Sequence, residues 1–263
     1  MPLHTPGISW KALLLSCRKS AELPDPEFTT VGYPNPEVPK AFLYSEKLGK
    51  EVGADILIAT DPDCDRVALE VKDKNGKYVF LNGNRIGALL SYYIFSQRHA
   101  LNNLPENPVL VKSIVTGDLS RAIAKKYGIE TVETLTGFKN ICGKTNEYDV
   151  TKEKNYVFGY EESIGFCYGT FIRDKDAVGA SMMVVEMAAY YKKQGKSLLD
   201  VLNDIYEEFG YYNERQISLE LEGIEGQQRI GRMMEDFREN PIKEMGDISL
   251  KEIIDFKDGY LDF

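Results

Sequence analysis

Histidine is almost missing from this chain: of 263 residues only His4 and His99 carry an imidazole. The four cysteines, Cys17, Cys64, Cys142 and Cys167, are scattered, with no C-x-x-C pair among them. Zinc needs clustered thiolate and imidazole ligands, so this scarcity argues against a zinc centre and for reduced, buried thiols. Long apolar runs are absent too. Nothing approaches the roughly eighteen consecutive apolar residues of a membrane helix. The opening MPLHTPGISWKALLLSC has neither a basic n-region nor a small-residue cleavage site, and a cytoplasmic protein is expected, with no membrane partner. Runs of Lys and Arg are lacking as well. A formal charge of -9 opposes a phosphate backbone, which argues against nucleic acid as a partner. A small anionic substrate remains compatible, because a few focused cations can hold it inside an acidic protein.

What the chain does have is an alternation of strand-length apolar runs with helix-period segments, the pattern of an α/β protein. At 43% hydrophobic and 28% charged residues it can bury ordinary cores in one large or two medium domains. Phe28 to Val31 reads as a strand, Tyr33 to Pro39 as a loop, Glu37 to Val52 as an amphipathic helix and Asp55 to Ala59 as a buried strand. Val67 to Val71 and Tyr78 to Leu81 pair as a hairpin around Asn75-Gly76, a helix covers Arg85 to Arg98, and Asn102 to Pro108 is a linker. A second α/β unit follows, with strands at Val109 to Val115, Ile129 to Thr134 and Tyr156 to Phe158. Helices are expected at Leu119 to Tyr127 and within Gly137 to Asn146, and a polar turn at Gly159 to Gly165. Asp174 or Asp176 can cap a nearly all-apolar helix at Ala177 to Lys192, and Ser197 can cap the next, which ends before Gly210. Tyr211 to Leu221 alternates like an edge strand, and a polar helix and an acidic tail lie beyond Gly223. No internal repeat or low-complexity segment is evident.

Directly after the buried run A-D-I-L-I-A stand Asp61, Asp63 and Asp65, three carboxylates in five residues. Such a cluster is costly without a cation, and carboxylate oxygens are hard donors suited to Mg²⁺ or Ca²⁺. Octahedral Mg²⁺ needs its oxygens about 3 Å apart. Same-face side chains of an extended strand sit roughly 6.6 Å apart, so the segment must curl, which Pro62 favours by fixing its own φ. An EF-hand is excluded, because its sixth position would be Arg66 and its twelfth Lys72. A solvated acidic turn and a dehalogenase-type loop using Asp61 as nucleophile are the alternatives. The latter expects Thr or Val at the place of Asp65.

A second polar cluster, Glu161, Glu162 and Ser163 in F-G-Y-E-E-S-I-G-F, sits at the carboxyl end of an expected strand, the usual ligand edge of an open α/β sheet. Carboxylates that accept and a hydroxyl that donates suit a polyol, although E-E-S alone also suits a turn or a helix cap. Arg173 and Lys175 in I-R-D-K-D-A-V, taken alone, are surface charges before a capped helix, and T-L-T-G-F-K-N-I at Thr134 to Ile141 is weak by itself.

Together these segments resemble the alpha-D-phosphohexomutase family of phosphoglucomutases and phosphomannomutases. D-P-D-C-D-R-V-A is similar to its D-G-D-x-D-R metal loop, with Pro62 in place of the usual Gly. The resemblance implies Mg²⁺ held by Asp61, Asp63 and Asp65, and Arg66 facing the transferring phosphate. F-G-Y-E-E-S-I-G-F is similar to the sugar loop G-E-x-S-G. Glu161 and Ser163 take the hydroxyl-contacting places, Glu162 the variable one, Ile164 the second Gly, and Gly165 the place where some relatives have a histidine. I-R-D-K-D resembles I-R-x-K-D-G, implying that Lys175, with Arg173, contacts phosphate or transfers a proton. T-G-F-K resembles the T-G-x-K loop, implying Thr136, Gly137 and Lys139 near the substrate. P-N-P-E-V-P-K-A-F resembles the segment that precedes the metal loop, and reads as structural.

The resemblance implies two consecutive α/β domains with mixed, mostly parallel sheets flanked by helices: metal-binding at residues 1–100, sugar-binding at 101–222, and a linker at 223–263 toward an absent C-terminal domain. The family interconverts hexose 1-phosphate and hexose 6-phosphate, of glucose or mannose, through a phosphoserine and a bisphosphorylated sugar. Nothing here reads T-A-S-H-N-P, the serine loop, or R-x-S-G-T-E-P, the phosphate clamp. The isolated chain is therefore expected to be inactive without those missing domains. A non-catalytic module that binds metal or sugar phosphate is the alternative from another class.

Overall fold

The computed structural model describes residues 25–29, 31, 34–214, 221–246, 248–250 and 253. The chain divides into two compact units, Met1–Tyr212 and Asn213–Phe263. In the first unit a single 3-10 turn, Pro39–Phe42, leads into α1, Leu43–Val52, which ends at Gly53 in the left-handed region. Strands β1 (Ile56–Thr60), β2 (Val67–Lys72) and β3 (Tyr78–Leu81) form an antiparallel sheet in the order β1-β2-β3. Helix α2 (Gly83–Ala100) begins where the Asn82 side chain accepts the Arg85 N–H at 3.0 Å. A second sheet takes the order β5-β4-β6-β7, from β4 (Pro108–Ser113), β5 (Glu130–Thr134), β6 (Asn155–Glu161) and β7 (Gly165–Tyr168). β5, β4 and β6 run parallel, and β7 returns antiparallel from β6.

Period-two alternation sends the two faces of β4 into different cores. Val109 and Val111 pack with Ile141, Cys142 and Tyr156 beneath α4 (Phe138–Thr151), whereas Leu110 faces the larger core with Ile123 of α3 (Leu119–Lys126). That larger core is continuous with Leu69 and Leu81 of the first sheet and with Val184 of α5 (Ala177–Lys192) and Ile205 of α6 (Leu198–Phe209). Asp176, rather than Asp174, caps α5, accepting the Gly179 N–H at 2.9 Å. Burial along α5 is less complete than its composition implies, since Val178 is exposed. Ser197 and Asp200 form a reciprocal capping box on α6. Among the described residues no helix is long and apolar enough to cross a membrane.

Three sequence expectations change. Phe28 to Val31 holds no strand among its described residues, because Asp25 accepts the N–H groups of Glu27 and Thr29 and curls the segment into turns. The polar turn assigned to Gly159–Gly165 is only 162–164, since β6 continues to Glu161 and β7 starts at Gly165. Tyr211 to Glu214 is irregular, and 215–220 and the acidic tail at 254–263 lie outside the described residues. The second unit contains α7 (Gly223–Glu239) and a short hairpin of β8 (Glu244–Met245) and β9 (Ile248–Ser249).

Candidate functional site

The acidic loop is the turn between antiparallel β1 and β2, and it curls as three crowded carboxylates require. Asp61 Oδ1 accepts the backbone N–H groups of Asp65 at 3.1 Å and Arg66 at 2.9 Å, and Cys64 takes a φ of 58° at the bend. One carboxylate oxygen from each of Asp61, Asp63 and Asp65 then lies within 4.8 Å of the others. Burial, and after it the Asp65 and Asp63 carboxylates, push the Asp61 carboxyl up, against the opposing Arg66 N–H. Asp65 Oδ1 is buried without a hydrogen-bond partner. Three convergent hard donors, one of them orphaned, fit a hard divalent cation such as Mg²⁺.

The neighbour of this loop is the β6–β7 turn. Arg66 forms a backbone bridge with Gly165, and the Val67 N–H donates to the Ile164 carbonyl at 3.1 Å. The two sheets therefore meet at the site through main-chain bonds. Ile164, which takes the second glycine place of the family loop, has a φ of 55° and is buried. A left-handed β-branched residue costs about 1–2 kcal/mol, and burying its apolar side chain offsets roughly that much. Beside the turn, Glu161 Oε1 accepts the Gly137 N–H at 2.6 Å. Gly137 has φ 107° and opens α4, a conformation that suits glycine alone. Burial pushes the Glu161 carboxyl up, the Gly137 N–H opposes this, and Glu162 adds to it. Ser163 lies half-buried in the turn itself.

The cations are placed less uniformly. Lys175 Nζ stands 2.7 Å from Asp65 Oδ2; burial is the largest influence and lowers the lysine's hold on its proton, but the hydrogen bond and charge of Asp65, with the charge of Asp174, together push its pKa up. Arg66 holds looser pairs, 3.9 Å to both Asp61 and Asp65 and 3.8 Å to Glu37. Arg173 turns instead to Asp149 on α4. Thr136 and Lys139 are exposed at the start of α4, where the Thr136 carbonyl accepts the Asn140 side chain at 3.0 Å. The structure thus gathers Asp61, Asp63, Asp65, Arg66, Lys175, Glu161 and Gly137, and leaves Arg173 tied to a neighbouring helix.

Sequence reasoning missed the anchor of the turn. Glu162, the variable position, accepts the hydroxyls of Ser113 at 3.2 Å and Thr116 at 3.0 Å, both buried at the carboxyl end of β4. Behind them Lys112, 1% exposed, pairs with Glu133 at 2.9 Å and Asp118 at 3.1 Å. A lysine inside the apolar run Val109 to Val115 was the available signal, since a buried cation requires partners.

The models of the family named phosphoglucomutase/phosphomannomutase match this chain twice, alpha/beta/alpha domain II at residues 10–76 and alpha/beta/alpha domain III at residues 82–209. A phosphoglucomutase of Staphylococcus epidermidis (strain ATCC 35984) is 38% identical over 236 residues, 90% of this chain and 42% of the relative. One of Staphylococcus aureus (strain USA300) is 38% identical over 233 residues, 89% of this chain and 41% of that protein. A crystal structure from Thermus thermophilus, assigned as a phosphomannomutase, aligns with a TM-score of 0.54 at 25% identity over 67% of this chain and 36% of that one. The chain thus spans about two fifths of the length of the curated relatives. Both domain models come from one family and meet the chain in the order II then III, and the chain belongs to that family, the alpha-D-phosphohexomutases.

Proposed function

We propose that this chain supplies the metal-binding and sugar-recognising parts of a cytoplasmic mutase that interconverts hexose 1-phosphate and hexose 6-phosphate, with glucose phosphate as the first substrate. The observation that carries this reading is the backbone bridge between Arg66 and Gly165, which sets the acidic loop beside the Glu161–Ser163 turn. Asp61, Asp63 and Asp65 would hold Mg²⁺, which when bound neutralises charge on a transferring phosphoryl group. Arg66 offers its donor fork to that group, and Lys175, Lys139 and Arg173 face the charged end of the substrate, Arg173 by exchanging Asp149 for phosphate. Glu161 and Ser163 bind ring hydroxyls, and the Gly137 N–H orients the Glu161 carboxylate. The phosphate-carrying serine and the clamp loop have no counterpart in this sequence, so the chain by itself would bind without turning over.

Isothermal titration with glucose 6-phosphate and mannose 6-phosphate in Mg²⁺ tests the reading. Glu161→Gln removes a charged acceptor for hydroxyls and should weaken both sugars alike, by about 1–3 kcal/mol, while inorganic phosphate binds as before. An effect on one sugar alone, or an equal loss of inorganic phosphate binding, would refute it.

A further inference from the structure

Lys175 reaches the acidic loop by lying across a glycine. A Cβ placed on Gly165 would meet Lys175 Cδ at 2.5 Å and Cγ at 2.9 Å, so the lysine stem can lie flat only because residue 165 has no side chain. The Phe138 ring flanks the same stem, with the ammonium 5.9 Å from its centroid. That path delivers Nζ to 2.7 Å from Asp65 Oδ2, with Asp174 as a second, longer partner at 3.7 Å. The Lys175 side chain is 17% exposed and the Asp65 side chain 27%, so water screens this pair less than it screens a surface pair. Gly165 is also the residue whose backbone bridges to Arg66, so Lys175 and Arg66 converge on one edge.

We infer that Lys175 is a shared cation: it pairs with Asp65 until a divalent ion claims that carboxylate, and is then free to meet the phosphate of an incoming hexose phosphate. The inference rests on the proposed reading of Asp61, Asp63 and Asp65 as a metal site. An ammonium within hydrogen-bond distance of a metal-binding carboxylate repels the second cation, so each weakens the other's hold on Asp65. By linkage, whatever draws Lys175 away from Asp65 strengthens metal binding, and metal strengthens binding of the anion that takes up Lys175. Metal and sugar phosphate therefore bind cooperatively, with Lys175 as the coupling residue and Gly165 as its positioning residue.

Titrating Mg²⁺ or Mn²⁺ alone into the full chain distinguishes this inference from the reading beneath it. Lys175→Met should tighten metal binding roughly threefold to tenfold. Gly165→Ala keeps every charge but blocks the path of the lysine, and should shift affinity in the same direction; a variant acting only through long-range charge would not. Asp63→Asn is the control and should weaken binding. If Asp63→Asn has no effect, the metal assignment fails. If Asp63→Asn weakens binding while neither other variant tightens it, the metal site stands and the sharing of Lys175 is overturned. In the wild-type chain the lysine ammonium NMR signal of Lys175 should shift on adding Mg²⁺, a readout that does not depend on any variant folding, and an unmoved signal also overturns the inference. Finally, Mg²⁺ should raise the affinity for glucose 6-phosphate in wild type and do so less in Lys175→Met, whereas equal enhancement in both would remove the coupling.

Discussion

Glu70 is a carboxyl group in the wrong surroundings. It sits in the middle strand of the antiparallel sheet, opposite Leu57 and Phe80, 3% exposed, with Oε2 lacking a partner. Burial first, and the Glu46 charge second, push its carboxyl from the ordinary 4.5 up to about 7, with Lys50 opposing. The folded protein therefore keeps a proton that the unfolded chain releases at lower pH. Stability contributed by this group is fully present below pH 4.5, falls as pH rises toward 7, and is lost above that. Glu70→Gln should stabilise the protein by about 2 kcal/mol at pH 8 and by little at pH 4, in urea denaturation at the two values. A variant with the same pH dependence as wild type would show that Glu70 is solvated. Nothing local announces this residue: V-A-L-E-V-K reads as alternation with a polar outer face, and only the packing of a helix over the sheet makes that face an interior one.

At the level of elements, α2 and the β6–β7 hairpin are fitted through two glycines one helical turn apart. A Cβ on Gly87 would stand 2.1 Å from the Tyr160 ring, and one on Gly83 would stand 2.0 Å from the Glu162 carbonyl oxygen. Tyr160 cannot easily yield, since its ring stacks on Phe158 at 5.7 Å and Phe166 at 6.0 Å and its hydroxyl donates to Ser120 at 2.8 Å. Alanine at an exposed helix position would gain about 1 kcal/mol over glycine. Here overpacking of about 1–3 kcal/mol opposes that gain and should prevail. Gly87→Ala is accordingly expected to lower the thermal midpoint, and a rise would mean that the contact between α2 and β6 is looser than described. The helix itself was legible as Arg85 to Arg98, two residues short of its start at Gly83 and of its end at Ala100. The glycines were not, because in a helical pattern they look like weak points until the partner strand is known.

Across the first unit, both sheets contribute to one continuous apolar core: Leu69 and Leu81 from the antiparallel sheet belong to the same cluster as Leu110 and Phe158 from the parallel one. A backbone bond from Val67 to Ile164 joins the sheets at the site as well, and one from Ala177 ties the start of α5 to Cys64 in the acidic loop. Their stabilities should be coupled. Leu69→Ala, at a position with no exposure, should cost about 2–5 kcal/mol and speed amide hydrogen exchange in β4 as much as in β2. Faster exchange confined to β1–β3 would show that the two sheets open independently.

The sequence by itself determined the chemistry that is local in the chain. Three aspartates in five residues demanded a curled loop. Ser197 lies beside the helix it caps, the α5 cap was narrowed to Asp174 or Asp176, and E-E-S lies at the end of a strand, so each could be read within a window of a few residues. Tertiary structure decided what meets what. Asp65 pairs with Lys175 across 110 positions, Glu162 with Ser113 and Thr116 across nearly fifty, and Arg66 bridges to Gly165. No periodicity links such residues, because their proximity is set by how two sheets share a core and by where a missing side chain lets another lie down.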